Sequence, residues 1–338
     1  MLRYSRLVLV SPLLSLASVV TLTANADDAA ADAQLRAQAQ ALFASLTTEV
    51  SVSEQQAALG RALFFDTRIG ADGKTGCVTC HLPEHWGADG RALSPDARGK
   101  LTERNSQTVF NAAGQPSLRW RGDRRSAAHQ AEDSLKGSIG YGMPDQVVPV
   151  LKSLGYEAAF KRAFPDDPAP VSPANFGRVL EAYQRTLITP APFDAYVQGD
   201  DAALNRNEKA GLRVFIESGC GGCHSGPLLG GTMNQKFGVI KDYWTATKSK
   251  NVDVGRFAVT RDDADRYVFR VPSLRNVAKT APYFHDGSVA QLHEAVQVMA
   301  SVQLARELSV SDSGAIVAFL EALTGSVPAH FAPPEVSR

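Results

Sequence analysis

The sequence predicts a mainly α-helical chain of two similar domains, on three observations. Apolar residues recur at helical spacing along much of its length, and alternating strand patterns are few. Its 338 residues exceed what one hydrophobic core usually accommodates. A short amphipathic helix pattern running into Cys-x-x-Cys-His occurs twice.

In chain order, residues 1–26 read as a secretory signal peptide. Arg3 and Arg6 give a positive start, Leu7 to Leu22 is mostly apolar, and Ala24-Asn25-Ala26 is an A-x-A cleavage site before Asp27. A membrane anchor is the alternative, but the apolar run is short for a span and contains Pro12 and several serines. No later stretch is long and apolar enough to cross a bilayer, so an exported, soluble product is expected, periplasmic in a Gram-negative cell. The formal net charge is zero. Removing residues 1–26 takes it to about −2, and no basic excess points to nucleic acid.

Residues 32–47 carry Leu35, Leu42, Phe43 and Leu46 at an imperfect helical spacing. Gly60 to Phe65 leads into the first cysteine motif and Gly211 to Ile216 into the second. Each places an aromatic on the buried side and ends in a glycine just before the cysteine. Residues 174–188 carry Phe176, Val179, Leu180 and Tyr183. Residues 289–300 and 311–323 are amphipathic, the latter with Ile316, Phe319, Leu320 and Leu323 on one face and Gly325 as its stop. Pro165, Pro168, Pro170 and Pro173 form a breaker-rich loop expected near the domain junction. The expected domains are residues 27–185 and 186–338.

Cys77-Val78-Thr79-Cys80-His81 and Cys220-Gly221-Gly222-Cys223-His224 use every cysteine in the chain. C-x-x-C-H is the pattern of c-type haem attachment. Two thiols add across the porphyrin vinyl groups, and the adjacent histidine lies under the iron. Zinc sites, redox pairs and structural disulfides also use C-x-x-C. None of them requires a histidine directly after the second cysteine in both copies, and zinc knuckles lie much closer together than Cys77 and Cys220. Two covalent haems are expected, each forming most of the core of a small cytochrome c-like domain, with redox chemistry as the function.

An iron capped on its second axial side suits electron transfer, whereas an open one admits peroxide. Met143, Met233 and Met299 are the methionines available after the signal, and each also reads as core filler. His85, His129, His285, His293 and His330 are the remaining histidines, each also readable as a surface or supporting residue.

These segments resemble the bacterial di-haem cytochrome c peroxidases, including their methylamine-utilisation relatives, over nearly the whole chain after the signal. The resemblance rests on residues 59–81, Leu-Gly-Arg-Ala-Leu-Phe-Phe-Asp-Thr-Arg through Cys-Val-Thr-Cys-His, and on Arg104-Asn105-Ser106-Gln107-Thr108-Val109-Phe110-Asn111-Ala112. It also rests on Arg270-Val271-Pro272-Ser273-Leu274-Arg275-Asn276-Val277 and on Thr280-Ala281-Pro282-Tyr283-Phe284-His285-Asp286-Gly287. It implies a peroxidatic haem held by Cys77, Cys80 and His81. It implies an electron-transfer haem held by Cys220, Cys223 and His224, with Met299 as its distal ligand. Trp120 matches a tryptophan between the haems, an electron relay or a core residue, and Gln130 matches an active-site glutamine. The resemblance further implies a calcium ion held by the Asn105 side chain and the Thr280 and Pro282 carbonyls. The implied donor is a monohaem cytochrome or a cupredoxin, and family members often form homodimers.

The sequence departs from the family twice. Ala97 stands where many members carry a removable distal histidine, and His85 is too close to His81 to replace it. An open first iron, needing no reductive activation, is therefore expected. Gly140-Tyr141 stands where the family has a catalytic Glu-Met pair, leaving His129, Glu132 or Asp133 as expected substitutes. The reaction implied is periplasmic reduction of hydrogen peroxide to water. Two alternatives are a relative that oxidises a protein substrate through high-valent iron and a non-enzymatic di-haem electron carrier. The best-known example of the former has a tyrosine where Met299 stands; the missing glutamate supports the latter.

Overall fold

The computed structural model describes the backbone of residues 16–335, with side chains from residue 29. The basic start and the first part of the apolar run of the expected signal peptide lie outside the described residues. Among the described residues, no helix is long and apolar enough to cross a membrane.

The chain is mainly α, as its periodicity predicts. It opens with α1 (Leu16–Leu42). The first repeat contains α2 (Glu54–Phe65), α3 (Ala127–Ser134), α4 (Val147–Ser153), α5 (Glu157–Ala163) and α6 (Pro173–Arg185). The second contains α7 (Pro192–Gln198), α8 (Arg206–Glu217), α9 (Tyr243–Thr247), α10 (Phe257–Thr260), α11 (Leu292–Leu304) and α12 (Val310–Glu321). Strands β1 (Asn234–Lys236) and β2 (Val268–Arg270) pair antiparallel.

Local chemistry sets the helix starts. The Ser53 hydroxyl accepts the Gln56 N–H at the head of α2. Asn205 and Glu208 form a reciprocal capping box at the head of α8. Ser172 caps α6, and Pro173 occupies its first turn, where the missing N–H costs nothing. The proline-rich stretch therefore lies inside the first repeat, not at the junction, and Val171 joins the first core.

The duplication is visible in the packing. α2 crosses α6 in the first repeat, and α8 crosses α12 in the second. A Cβ on Gly60 would lie 1.9 Å from the Val179 carbonyl oxygen, and one on Gly211 would lie 1.8 Å from that of Ala315. Each pair thus touches backbone to backbone, which only glycine permits. One turn on, Phe64 meets Tyr183 at 5.5 Å and Phe215 meets Phe319 at 5.2 Å. Asn111 and Asn276, both left-handed, then lead into matching short turns. Their side-chain amides donate to one hydroxyl, that of Thr189, at 2.8 and 2.9 Å, and so stitch the repeats together.

Gly325 is not the stop of α12, which ends earlier, at Glu321. It is a point of close approach instead, since a Cβ there would lie 2.4 Å from the Thr189 oxygen. The chain ends also cross between repeats. The helix expected over 32–47 ends at Leu42, and Leu35, Ala39 and Phe43 pack in the second core with Phe193, Phe215 and Phe319. Phe331, late in the chain, packs in the first core against Phe110 at 4.8 Å and Phe64 at 5.5 Å. Burial of each such side chain contributes about 1.5–3 kcal/mol. A third apolar cluster, Phe237, Tyr243, Phe269, Val298 and Val302, lies between the strand pair and α11.

A candidate two-haem cavity

Both cysteine motifs fold alike. Cys77–Thr79 and Cys220–Gly222 are short 3-10 turns that follow α2 and α8. Among the described residues, the four thiols form no disulfide, and no three or more His, Cys, Asp or Glu side chains cluster as a metal site. His81 Nδ1 bonds the Gly87 carbonyl at 2.8 Å, and His224 Nδ1 bonds the Leu229 carbonyl at 3.1 Å. Pinning Nδ1–H to a carbonyl leaves the Nε2 lone pair for a metal. Burial pushes both imidazoles below their ordinary pKa, so both are neutral, as ligation requires.

The two motifs line a single continuous cavity of about 680 Å³. Its walls include Phe64, Val109, Phe215 and Ile316, and eight arginines and lysines line it against two carboxylates, Asp96 and Glu103. Apolar walls with a cationic excess suit flat apolar rings that carry propionates. Lining side chains with a buried polar atom that lacks a hydrogen-bond partner include Ser94 at Oγ, Arg104 at Nε, Gln130 at Oε1 and His285 at Nε2. Such an atom left unsatisfied costs about 1–3 kcal/mol. Together with the pinned histidines, they show that the residues fit two c-type haems.

The other expected site residues divide between those that line this cavity and those that do not. Met299, on α11, lines it, whereas Met143 and Met233 do not and are 63% and 38% exposed. Trp120 lines it where the repeats meet. Its indole N–H donates to the Asn105 carbonyl at 3.0 Å, and its own carbonyl accepts the Arg270 N–H at 2.8 Å. The ring packs against the third cluster alongside Met299. Asn105, Thr280 and Pro282 all line the cavity. The Asn105 amide N–H donates to the His285 carbonyl at 2.7 Å and its side chain to the Arg91 carbonyl at 2.8 Å.

The expected substitute acids are a correction. Gln130 lines the cavity, but His129 does not, because one residue along α3 turns the side chain through about a quarter of a helical turn. The His129 ring instead accepts the Arg125 N–H at 3.4 Å. Glu132 and Asp133 are also outside the lining, and Asp133 pairs with Arg124 and Arg119. Asp96 lines the cavity and burial raises its pKa, but hydrogen bonds from Arg98 and Lys100 outweigh this and hold it ionised.

Ala97 and Gly140, the two departures noted in the sequence, touch each other. A Cβ on Gly140 would lie 2.9 Å from the Ala97 Cβ and 3.3 Å from that of Ala71, at a φ of +97°. The loop is held there by Ala97 N–H to Ser138 O at 2.9 Å and Arg98 Nη2 to Gly137 O at 3.3 Å. A glutamate at 140 would therefore be strained and would collide with this loop. Tyr141 points elsewhere, its hydroxyl donating to the Ile69 carbonyl at 2.8 Å.

Two site residues had no role assigned from sequence. His285 is 2% exposed and stacks on Phe269 at 4.5 Å, with its pKa lowered by burial. Arg270 is also 2% exposed, and the one sequence signal for it is a cation in the apolar run Val268-Phe269-Arg270-Val271.

A family model described as di-haem cytochrome c peroxidase matches residues 54–202. The chain is 42% identical over 309 residues to cytochrome c551 peroxidase of Pseudomonas aeruginosa, covering 89% of each chain. It is 36% identical over 277 residues to cytochrome c551 peroxidase of Nitrosomonas europaea, covering 80% of each. Among solved structures, it is similar to a MauG-like protein associated with microbial copper homeostasis. The TM-score is 0.73 at 26% identity, over 86% of this chain and 96% of that one.

Proposed function

Because the chain belongs to the di-haem cytochrome c peroxidase family, we infer that it reduces hydrogen peroxide to water with electrons from a small redox protein. The observation that carries this reading is the pair of neutral, carbonyl-pinned histidines on one cavity, which Trp120 also lines. A haem held by Cys77, Cys80 and His81 would supply the iron that reduces peroxide, and one held by Cys220, Cys223, His224 and Met299 would supply a one-electron centre.

The chain's own residues do the rest. The Gly87 and Leu229 carbonyls orient His81 and His224 and raise their basicity as ligands. Gln130 Oε1, buried and unpartnered, accepts a hydrogen bond and so can hold a peroxide O–H. Ala97 leaves the first site without a distal side-chain ligand, which favours turnover without reductive activation. Trp120, fixed by its bond to Asn105, is the stepping stone between the sites. With Gly140 at the usual acid position, protons come from solvent, and a modest rate is expected. Asn105 with the Thr280 and Pro282 carbonyls is the proposed calcium site, and the signal-like residues 1–26 support a periplasmic location. Oxidation of a protein substrate is the second reading, favoured by the open distal side at Ala97 and opposed by Met299.

The test is peroxide consumption by the oxidised holoprotein with a reduced monohaem cytochrome or cupredoxin. Steady turnover without pre-reduction is expected. Gln130→Leu should lower kcat/KM on the order of 10²-fold, the usual cost of removing a positioned polar group. Normal turnover in that variant would remove Gln130 from the site. An oxidised protein with no high-spin haem by electron paramagnetic resonance, inert to peroxide, would support an electron carrier instead. Met299→His should keep the second haem low-spin but lower its potential, because imidazole donates more strongly than thioether. An unchanged potential and spectrum would show that another residue caps that iron.

A further inference from the structure

We propose that Arg270 is the propionate anchor of the two-haem site. Its guanidinium holds a haem carboxylate where the two haem-binding segments meet, and so sets the electron affinity of that haem. The inference rests on the two-haem reading above and deepens it.

Arg270 lines the cavity but is itself almost fully buried. Among the described residues it pairs with no carboxylate. Its three observed side-chain bonds run to neutral oxygens: Nε to the Arg119 carbonyl at 2.9 Å, Nη2 to Gln107 Oε1 at 2.9 Å, and Nη1 to Gln115 Oε1. Burial alone lowers its pKa, to about 10, so it stays charged at neutral pH. An isolated buried cation is among the costliest groups a fold can hold. The other arginines of the cavity do not share this condition. Arg275 is paired with Asp194, Arg104 with Asp253, Arg121 with Asp123 and Arg98 with Asp96.

A guanidinium has five N–H donors in a planar fork. Three are used by neutral acceptors, which leaves one on each Nη. That is the arrangement a carboxylate accepts in bidentate fashion.

The position also fits a carboxylate belonging to the haems. Arg270 stands two residues before Pro272, whose carbonyl and the His224 ring nitrogen flank the same glycine, Gly230. Its partner Gln107 belongs to the equivalent segment of the first repeat, where the Val109 N–H shares the Gly87 carbonyl with the His81 imidazole. The fork is therefore suspended between the two proximal segments, next to the carbonyl of Arg119. A purely structural pin between repeats would need the same three bonds, but not a buried charge.

The experiment uses the holoprotein with its haem content fixed by pyridine haemochrome, so loss of the two-haem reading itself would be seen first and separately. Arg270→Gln is expected to retain two haems and to lower the midpoint potential of at least one, because removing a nearby cation favours the oxidised state. The propionate bending band in the resonance Raman spectrum should shift as its strong donor is lost. Arg270→Lys keeps the charge and loses the fork, so it should move the band and largely preserve the potential. Should Arg270→Gln fail to accumulate, Arg270→Lys decides the matter by its band alone. Two haems with unchanged potentials and an unchanged propionate band in Arg270→Gln, or an unchanged band in Arg270→Lys, would overturn the proposal.

Discussion

Replacing Cys220 and Cys223 together with alanine is expected to leave one covalent haem where the wild type has two, and to abolish turnover with a protein donor. The reason is the division of the cavity. His81 keeps its own cysteines, its Gly87 partner and the side of Gln130, so chemistry at the first site is retained. On the function proposed above, the second site is the relay, and without it electrons would have no route to the first. The lost porphyrin also leaves a large part of a cavity of about 680 Å³ without its occupant. Unfilled core volume costs roughly 24 cal/mol per Å³, so the second repeat should lose several kcal/mol and melt ahead of the first. Acid-acetone extraction followed by pyridine haemochrome counts the haems, and donor oxidation under peroxide reads the turnover. The reading fails if the wild type contains zinc and no covalent haem, or if the double variant still oxidises its donor at the wild-type rate.

Gly211→Ala is expected to cost at least about 3 kcal/mol, far more than a methyl group usually does, because it is overpacking with no room to relax. The new Cβ would start 1.8 Å from the Ala315 oxygen and 3.0 Å from the Phe319 Cβ. Both neighbours are parts of α12, so the whole helix must move and the Phe215–Phe319 contact is lost with it. Guanidinium melts of the holoprotein would measure the loss, and haem content should fall as the proximal loop after α8 loses its support. Gly314→Ala is the control. Nothing lies within 4 Å of its Cβ position, and it is inside a helix, so a gain of about 0.5–1 kcal/mol is expected. Equal melting of Gly211→Ala and wild type would mean that α8 and α12 do not cross this closely.

The proximal half of the site was legible because it is written locally. Two cysteines and a histidine within five residues carry their covalent chemistry wherever the segment folds. The pattern Gly60–Phe65 repeated at Gly211–Ile216 announced the second copy of the same helix, and caps such as Ser53 and Asn205 act within one turn of the residues they serve. Helical periodicity is equally local, so the apolar faces of α6 and α12 could be read from spacing alone.

What lies opposite the histidines depended on contacts between residues far apart in sequence. Leu35 and Phe43 fill the second core and Phe331 the first, because burial of apolar surface is indifferent to chain order. His129 was a reasonable proton donor by residue type and fell outside the cavity through the phase of a single helix. Ala97 and Gly140 look like two separate losses in the sequence and prove to be one contact in space, which rules out a simple return of the glutamate. Arg270 carries its meaning through acceptors on Gln107, Gln115 and Arg119, none of them nearby in the chain. The sequence by itself therefore determined the two Cys-x-x-Cys-His turns and the repeated helices that lead into them, all set by bonds and torsions within a few residues. Only the tertiary structure decided which side chains face the shared cavity, because that is fixed by long-range packing and by where a buried charge can be tolerated.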